Sequence, residues 1–386
     1  MEIRYSKRFS KIPAYIFKQL SEMKAAQIQL GKDVIDLGIG DPDLPTPTRI
    51  VERLKTESEK PENHRYPPYA GIKPFKEAIA RWYKRKYGVE VDPNSEVIVL
   101  IGSKEGIAHT FISYVDPGDI ALIPDPSYPV YSPATIFAGG TPYYVPLKEE
   151  IAYLPAISTI PEDIAQRARI FFINYPNNPT AAVIEREGLE LLVSFCKANN
   201  IILCQDAAYA ELTFDGYEFP SLLSIDGARD VGLEFHSLSK TYNMTGWRVG
   251  FAVGRRELVS GLLRVKSNMD SGVFPAIQMA GVEALDNCDN EVEKNVQVFR
   301  RRRDKMVKGL TKIGWHVRKP RGTFFLWVRT PGRVSSMEFI RQALDQCSVM
   351  LTPGIGFGSE GEGYFRIALT LQENKLEEAV HRLGKL

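Results

Sequence analysis

The sequence predicts an α/β fold built on a mainly parallel β-sheet with helices over both faces. Two patterns and the chain length lead there. From Glu96 onward, short runs rich in β-branched residues alternate with segments of helical period, the order expected of successive strand–helix–strand units. The runs EVIVLIGS, IALIPDPSY, RIFFINYP, NIILCQDA and GLEFHSLS read as buried strands, and strands buried on both faces belong to parallel sheets. The chain has 386 residues, more than one ordinary core accommodates, so two domains are expected.

Composition narrows the class. Apolar residues make up 44% and charged residues 25%, as in globular proteins of aqueous compartments. The formal net charge is +2 and no charged tail is present, so nucleic acid is not an expected partner. The run Arg301 to Arg303 falls in a helical pattern and reads as a solvated helix face. Cys196, Cys204, Cys288 and Cys347 are far apart in sequence and form no C-x-x-C pair. Neither a metal site nor a disulfide framework is expected, and reduced thiols in a cytoplasmic protein are. No apolar run is long enough to cross a bilayer. The N-terminus, MEIRYSKRFSKIP, lacks the apolar core of a signal peptide.

Residues 1–12 read as a basic arm. Tyr15 to Gln29 has helical period, with Ile16, Leu20, Met23 and Ile28 roughly on one face. VIDLGIGDPDLPTP is a short strand running into a loop, where Gly38 and Gly40 either turn the chain or let backbone approach a partner closely. HRYPPYAG, residues 64–71, is turn-rich and aromatic; on this segment alone Tyr66 and Tyr69 read as packing residues. The helix KPFKEAIARWYKRKYG follows. The alternating region then runs from EVIVLIGS and its helix SKEGIAHTFISYV through TPYYVPL and the helix EREGLELLVSFCKAN to the strand RVGFAVG. From about Glu283 the order is helix (EVEKNVQVFRRRRDKMVKGL), strand (TFFLWVRT), helix (SMEFIRQALDQ), strand (YFRIALT) and helix (NKLEEAVHRL).

The polar residues fall in a pattern. Ser103, Tyr128, Asn178, Asp206 and Lys240 each lie just past the carboxyl end of an expected strand, the edge at which open parallel sheets bind ligands. A helix N-terminus after Ser103 offers free N–H groups to a phosphate. In EFHSLSKTYNMTGWRVGFAVG a lysine flanked by hydroxyls follows a buried strand, where desolvation lowers an amine's pKa and makes it nucleophilic toward carbonyls. Arg248 and the hydroxyls of Ser237 and Ser239 can bind a phosphate. A reactive lysine beside a phosphate anchor is what pyridoxal 5'-phosphate requires. Taken singly, each residue has a plain structural reading: a solvated lysine in a surface turn, a turn asparagine, a helix-capping aspartate, a core tyrosine. Their joint occurrence in this order carries the inference.

On the motifs LGIGDPD, YPPYAGIKPFKEAIA, PDPSYPVY, NYPNNPT, QDAAY, HSLSKTYNMTGWRVG, PRGTFFLW and YFRIAL, the chain resembles the fold-type I, pyridoxal-phosphate-dependent aminotransferases of class I/II. The likeness runs from about Tyr15 to the C-terminus. It implies a large domain (45–282) with a mainly parallel seven-stranded sheet, a smaller α+β domain (13–44 with 283–386) and an N-terminal arm (1–12). It implies that Lys240 binds the cofactor covalently and moves the substrate proton. Asp206 is then the partner of the pyridine nitrogen, Asn178 and Tyr209 of the phenolic oxygen, and Tyr128 stacks on the ring. Ser103, Lys104, Ser237, Ser239 and Arg248 match the phosphate cradle. Tyr66 matches a residue that reaches the phosphate of a neighbouring subunit, which implies a homodimer with shared sites. Arg366 matches the residue that binds the substrate α-carboxylate, and Gly40 the backbone that closes over substrate. The implied reaction passes an amino group from an amino acid to a 2-oxo acid by a ping-pong route.

LGIGDPDLPTP, EFHSLSKTYNMTGWRVGFAVG and KSNMDSGVFPAIQ together are similar to the LL-diaminopimelate aminotransferases of lysine biosynthesis. That similarity implies LL-diaminopimelate with 2-oxoglutarate as the substrate pair, and Tyr15 and Lys104 match pocket positions there. Two departures stand out. The loop PPYAG has no acid where plant-type members carry one, and Ala181 replaces the glycine of N-P-T-G. Transamination of alanine, aspartate, aromatic or branched-chain amino acids remains an alternative, as does a C–S lyase on the same fold.

Overall fold

The computed structural model describes residues 1, 3–12, 16–332 and 334–386. The first strand, β1 (Ile35–Asp36), is short. Then follow β2 (Val97–Leu100), β3 (Ile120–Asp125), β4 (Thr141–Pro146), β5 (Ala168–Asn174), β6 (Ile202–Asp206), β7 (Gly232–Ser237) and β8 (Gly250–Gly254). These seven lie side by side in the order β2-β8-β7-β6-β5-β3-β4. β8 is antiparallel to β2 and β7; the other pairings are parallel. This is the expected mainly parallel, seven-stranded sheet.

The apolar runs have a simple physical origin. Every residue of β2, β3, β7 and β8 is buried, because helices cover both faces and neither can be polar. In β5, Ile170 and Phe172 pack on one face with Phe111 of the helix Ser103–Tyr114. Phe171 and Ile173 pack on the other with Leu189 and Leu192 of the helix Arg186–Ala198.

A second, smaller sheet uses the C-terminal part of the chain. β9 (Phe325–Arg329), β11 (Thr352–Pro353) and β12 (Tyr364–Ala368) form an antiparallel set ordered β11-β12-β9, and β10 (Val349–Met350) pairs in parallel with β1. β10 and β11 were not expected from the sequence, since two residues are too few to show a period. The helices Ile16–Gln29, Asp289–Lys312, Ser336–Cys347 and Glu373–Leu383 pack around these strands. Leu20, Phe299, Met306, Phe339 and Leu376 share their core.

The arginine run needs correction. Arg301 is exposed, but Arg302 and Arg303 are 3% and 0% exposed. Arg302 forms a two-pronged pair with Asp43 at 2.6 and 2.9 Å. Arg303 donates to the Pro320 carbonyl and to Asp215, and its guanidinium lies 4.6 Å from the Phe214 ring centre. Successive residues turn through about 100° on a helix, so an unbroken run must also face inward. All four cysteines are buried and unpaired. Among the described residues no helix is long and apolar enough to cross a membrane.

Candidate active site

The carboxyl ends of the parallel strands deliver the site. β6 ends on Asp206, β5 on Asn174 and β7 on Ser237. After β7 the chain makes one helical turn, Leu238–Thr241, with the Ser237 hydroxyl accepting from the Ser239 N–H at 3.2 Å. After β2 it turns at Gly102, φ +73°, and Ser103 opens a helix. These ends meet in a cavity of about 370 Å³. Ser103, Lys104, Tyr128, Asn178, Asp206 and Tyr209 line it, as do Ser237, Ser239, Lys240, Arg248, Arg366 and Gly40.

Lys240 has the features expected of a reactive amine. Its Nζ donates to the Gly40 carbonyl at 2.7 Å. Burial, with Arg366 and Arg248 nearby, lowers its pKa to about 8, against an opposing pull from Asp41. Asp206 shows the converse. Burial raises its pKa to about 6, although the Tyr131 hydroxyl donates to Oδ2 at 2.8 Å and the Ala208 N–H and the nearby His236 also favour the anion. A 4% exposed carboxylate in that state favours a cationic neighbour.

Arg366, on β12, is held as a fork. Nη1 donates to Asn178 Oδ1 at 2.6 Å and Nη2 to the Gly38 carbonyl at 2.8 Å. The guanidinium lies 4.1 Å from the Phe325 ring centre and 4.8 Å from that of Phe357, which holds its plane. Tyr209 is edge-on to Phe324 and Phe325, and burial pushes its phenol well up. Lys104 is lowered by burial and by Arg248. Ala181 adopts φ +55°, the left-handed region that glycine enters freely, so the usual glycine at that position has a backbone reason.

One expected site residue is not brought into the cavity. Tyr66 is 88% exposed and is not among the lining residues. Tyr15 lies outside the described residues. Conversely, Asn174, Tyr131 and Thr245 were missed. Asn174 Nδ2 donates to the Asp206 carbonyl at 2.7 Å, and its Oδ1 accepts from the Asn178 N–H at 2.7 Å. A polar residue closing the apolar run RIFFIN is the same signal that marked Asp206. Tyr131 and Thr245 carry no comparable local signal.

The donor set fits pyridoxal phosphate. The buried Ser239 hydroxyl has no hydrogen-bond partner among the described residues, and a Cβ at Gly102 would come within 2.3 Å of Arg248 Nη2. An unsatisfied buried donor and a cleared approach, beside a helix N-terminus, suit a phosphate. A lysine amine and a buried carboxylate at the edge of this sheet define a pyridoxal-phosphate enzyme. Residues 32–383 match the family model of aminotransferase class I and II, and the chain belongs to that pyridoxal-phosphate-dependent family.

Its curated relatives include proteins named LL-diaminopimelate aminotransferase. That of Aquifex aeolicus is 52% identical over 382 residues, covering 99% of both chains. That of Syntrophobacter fumaroxidans is 50% identical over 381 residues, covering 99% of this chain and 98% of the other. Among solved structures, substrate-bound BacF from Bacillus subtilis superposes with a TM-score of 0.96 at 36% identity, covering 100% of this chain and 98% of that one.

Proposed function

We propose that this aminotransferase exchanges the amino group of LL-diaminopimelate with the 2-oxoglutarate/glutamate pair, in lysine biosynthesis in the cytoplasm. The observation that carries the reading is a forked arginine for an α-carboxylate beside a desolvated lysine amine, in a chain about half identical, end to end, to relatives of that name.

Bound pyridoxal phosphate supplies an electron sink for charge left on the substrate α-carbon. The protein supplies position and protons. Arg366 binds the α-carboxylate through its planar fork. Lys240 takes the α-proton and returns it, which an amine lowered to about 8 can do near neutral pH. Asp206 holds the ring nitrogen in its cationic form, while Asn178 and Tyr209 bind the phenolic oxygen. Tyr128 stacks on the ring. Ser103, Lys104, Ser237, Ser239 and Arg248 hold the phosphate. Gly40 closes over substrate and Tyr15 lines its pocket, with 13–44 and 283–386 moving as the smaller domain against 45–282; such closure excludes water. Two chains pair, each lending Tyr66 to the other's phosphate. The exposure of Tyr66, and of Phe274 and Met269 farther along the chain, supports that pairing.

The test is an absorbance titration of the purified protein with LL-diaminopimelate, with no 2-oxo acid present. Conversion of the yellow form to the aminated cofactor at low concentration is expected. A yellow protein that ignores LL-diaminopimelate but bleaches with alanine, aspartate, an aromatic or a branched-chain amino acid overturns the substrate assignment.

A further inference from the structure

We propose that Lys266 is a positioning residue that holds the phosphate cradle in register with the paired loops 65–72 and 270–274. Lys266 lies on the helix Arg256–Met269, outside the cavity, and is fully buried. Its Nζ contacts Asp270 Oδ1 and Oδ2 at 2.8 and 3.0 Å and Glu105 Oε2 at 3.5 Å. Each carboxylate shapes a different piece of backbone. Glu105, two residues beyond Ser103, accepts the Ile101 N–H at 2.9 Å and so closes the turn Ile101–Gly102–Ser103 on which the cradle is built. Asp270 accepts the Gly272 N–H at 2.8 Å and sets the loop that follows.

That loop is tied to the Tyr66 loop. Gln278, also fully buried, donates to the Val273 carbonyl at 2.6 Å and accepts the Ile72 N–H at 2.8 Å. A Cβ on Gly272 would meet Pro67 at 3.0 Å. An unbroken set of contacts therefore runs from Ser103 through Glu105, Lys266 and Asp270 to the residues flanking Tyr66. His109 joins it, with Nδ1 2.5 Å from Glu105 Oε1. Glu105, His109 and Asp270 bring metal-capable atoms within 4.8 Å of one another, but the ammonium of Lys266 already supplies the positive charge among them. A buried ion pair adds little stability over an apolar replacement of equal size. What it adds is direction, since only a cation here holds both carboxylates at once.

The inference rests on the assignment of the phosphate cradle, and the experiment separates the two. Binding of pyridoxal phosphate and of pyridoxal, which lacks the phosphate, is measured on apo-protein for wild type, Lys266→Met and Asp270→Asn. Hydrogen exchange is followed in parallel. Both variants are expected to weaken pyridoxal phosphate by about tenfold and leave pyridoxal unchanged, with faster exchange at 101–106 and at 65–72. Equal weakening of both ligands, no weakening, or faster exchange confined to 266–274 overturns the inference. A wild type that does not prefer pyridoxal phosphate overturns the cradle itself. Should Lys266→Met fail to fold, Asp270→Asn, which removes one of the two charges that Lys266 holds, decides alone.

Discussion

Asp206 and Lys240 carry opposite perturbations for one reason: burial disfavours whichever form is charged. For Asp206 the folded pKa, about 6, lies above the ordinary 3.8. Below about pH 4 both folded and unfolded chains are protonated and the group is neutral to stability. As pH rises toward about 6 the unfolded chain releases its proton first, so the apo-protein loses stability. Above that range the full cost is about 3 kcal/mol. Apo Asp206→Asn is therefore expected to outlast apo wild type against urea at about pH 8, the gap closing toward about pH 4. Identical pH profiles would remove burial as the cause.

Lys240 runs the other way, because its folded pKa of about 8 lies below that of a free lysine. The rate at which apo-protein captures pyridoxal phosphate should climb as pH passes about 8 and then level off, as stopped-flow absorbance would record. A flat profile would mean that the amine is not desolvated in solution. For Arg366, the expected outcome of Arg366→Lys is a loss of two orders of magnitude or so in kcat/KM. A point charge cannot reach Asn178, Gly38 and a carboxylate with one planar fork. A variant within a few-fold of wild type would place the carboxylate elsewhere.

At the level of the element, the turn after β2 is the most constrained piece of the site. Gly102 has a positive φ, and a methyl there would have to displace the Arg248 guanidinium. Gly102→Ala combines backbone strain with a side-chain clash. It should weaken pyridoxal phosphate binding at least tenfold while moving the melting temperature by only a few degrees. An unchanged dissociation constant would show that Arg248 relocates freely. The cradle and Lys240 were readable in the sequence because each sits on a short segment whose strand, turn and polar residue are contiguous. Asn174, at the end of β5, obeys the same rule. Tyr131 obeys no such rule, since only tertiary packing brings its hydroxyl to Asp206 75 positions away.

For the whole molecule, the exposed Tyr66 makes a prediction that only two chains together can meet. Lys240→Ala is expected to be inactive and Tyr66→Ala strongly impaired. Mixing and refolding the two should restore activity, because hybrid dimers rebuild one complete site from a Lys240-bearing chain and its Tyr66-bearing partner. Activity that never exceeds the sum of the separate variants would rule out shared sites. The inward-facing Arg302 and Arg303 belong to this scale as well. Their salt bridges to Asp43 and Asp215 join segments far apart in sequence, which no inspection of the arginine run could reveal.

Local chemistry in the sequence was enough to determine the mainly parallel sheet, the lysine after β7 and the acid after β6, while the strand count and the arginine on β12 followed from the family resemblance. Burial on both faces of a strand dictates an apolar run, and a ligand at a sheet's edge dictates polar residues at strand ends. Tertiary structure alone decided what those residues touch. The Gly40 carbonyl meets the Lys240 amine across 200 positions, and Arg366 reaches Asn178 across 188. It also decided which charges of a uniform arginine run are solvated, and that a buried lysine outside the cavity grips both Glu105 and Asp270. Such pairings depend on how finished elements pack, and packing is set by the whole chain at once rather than by any window of it.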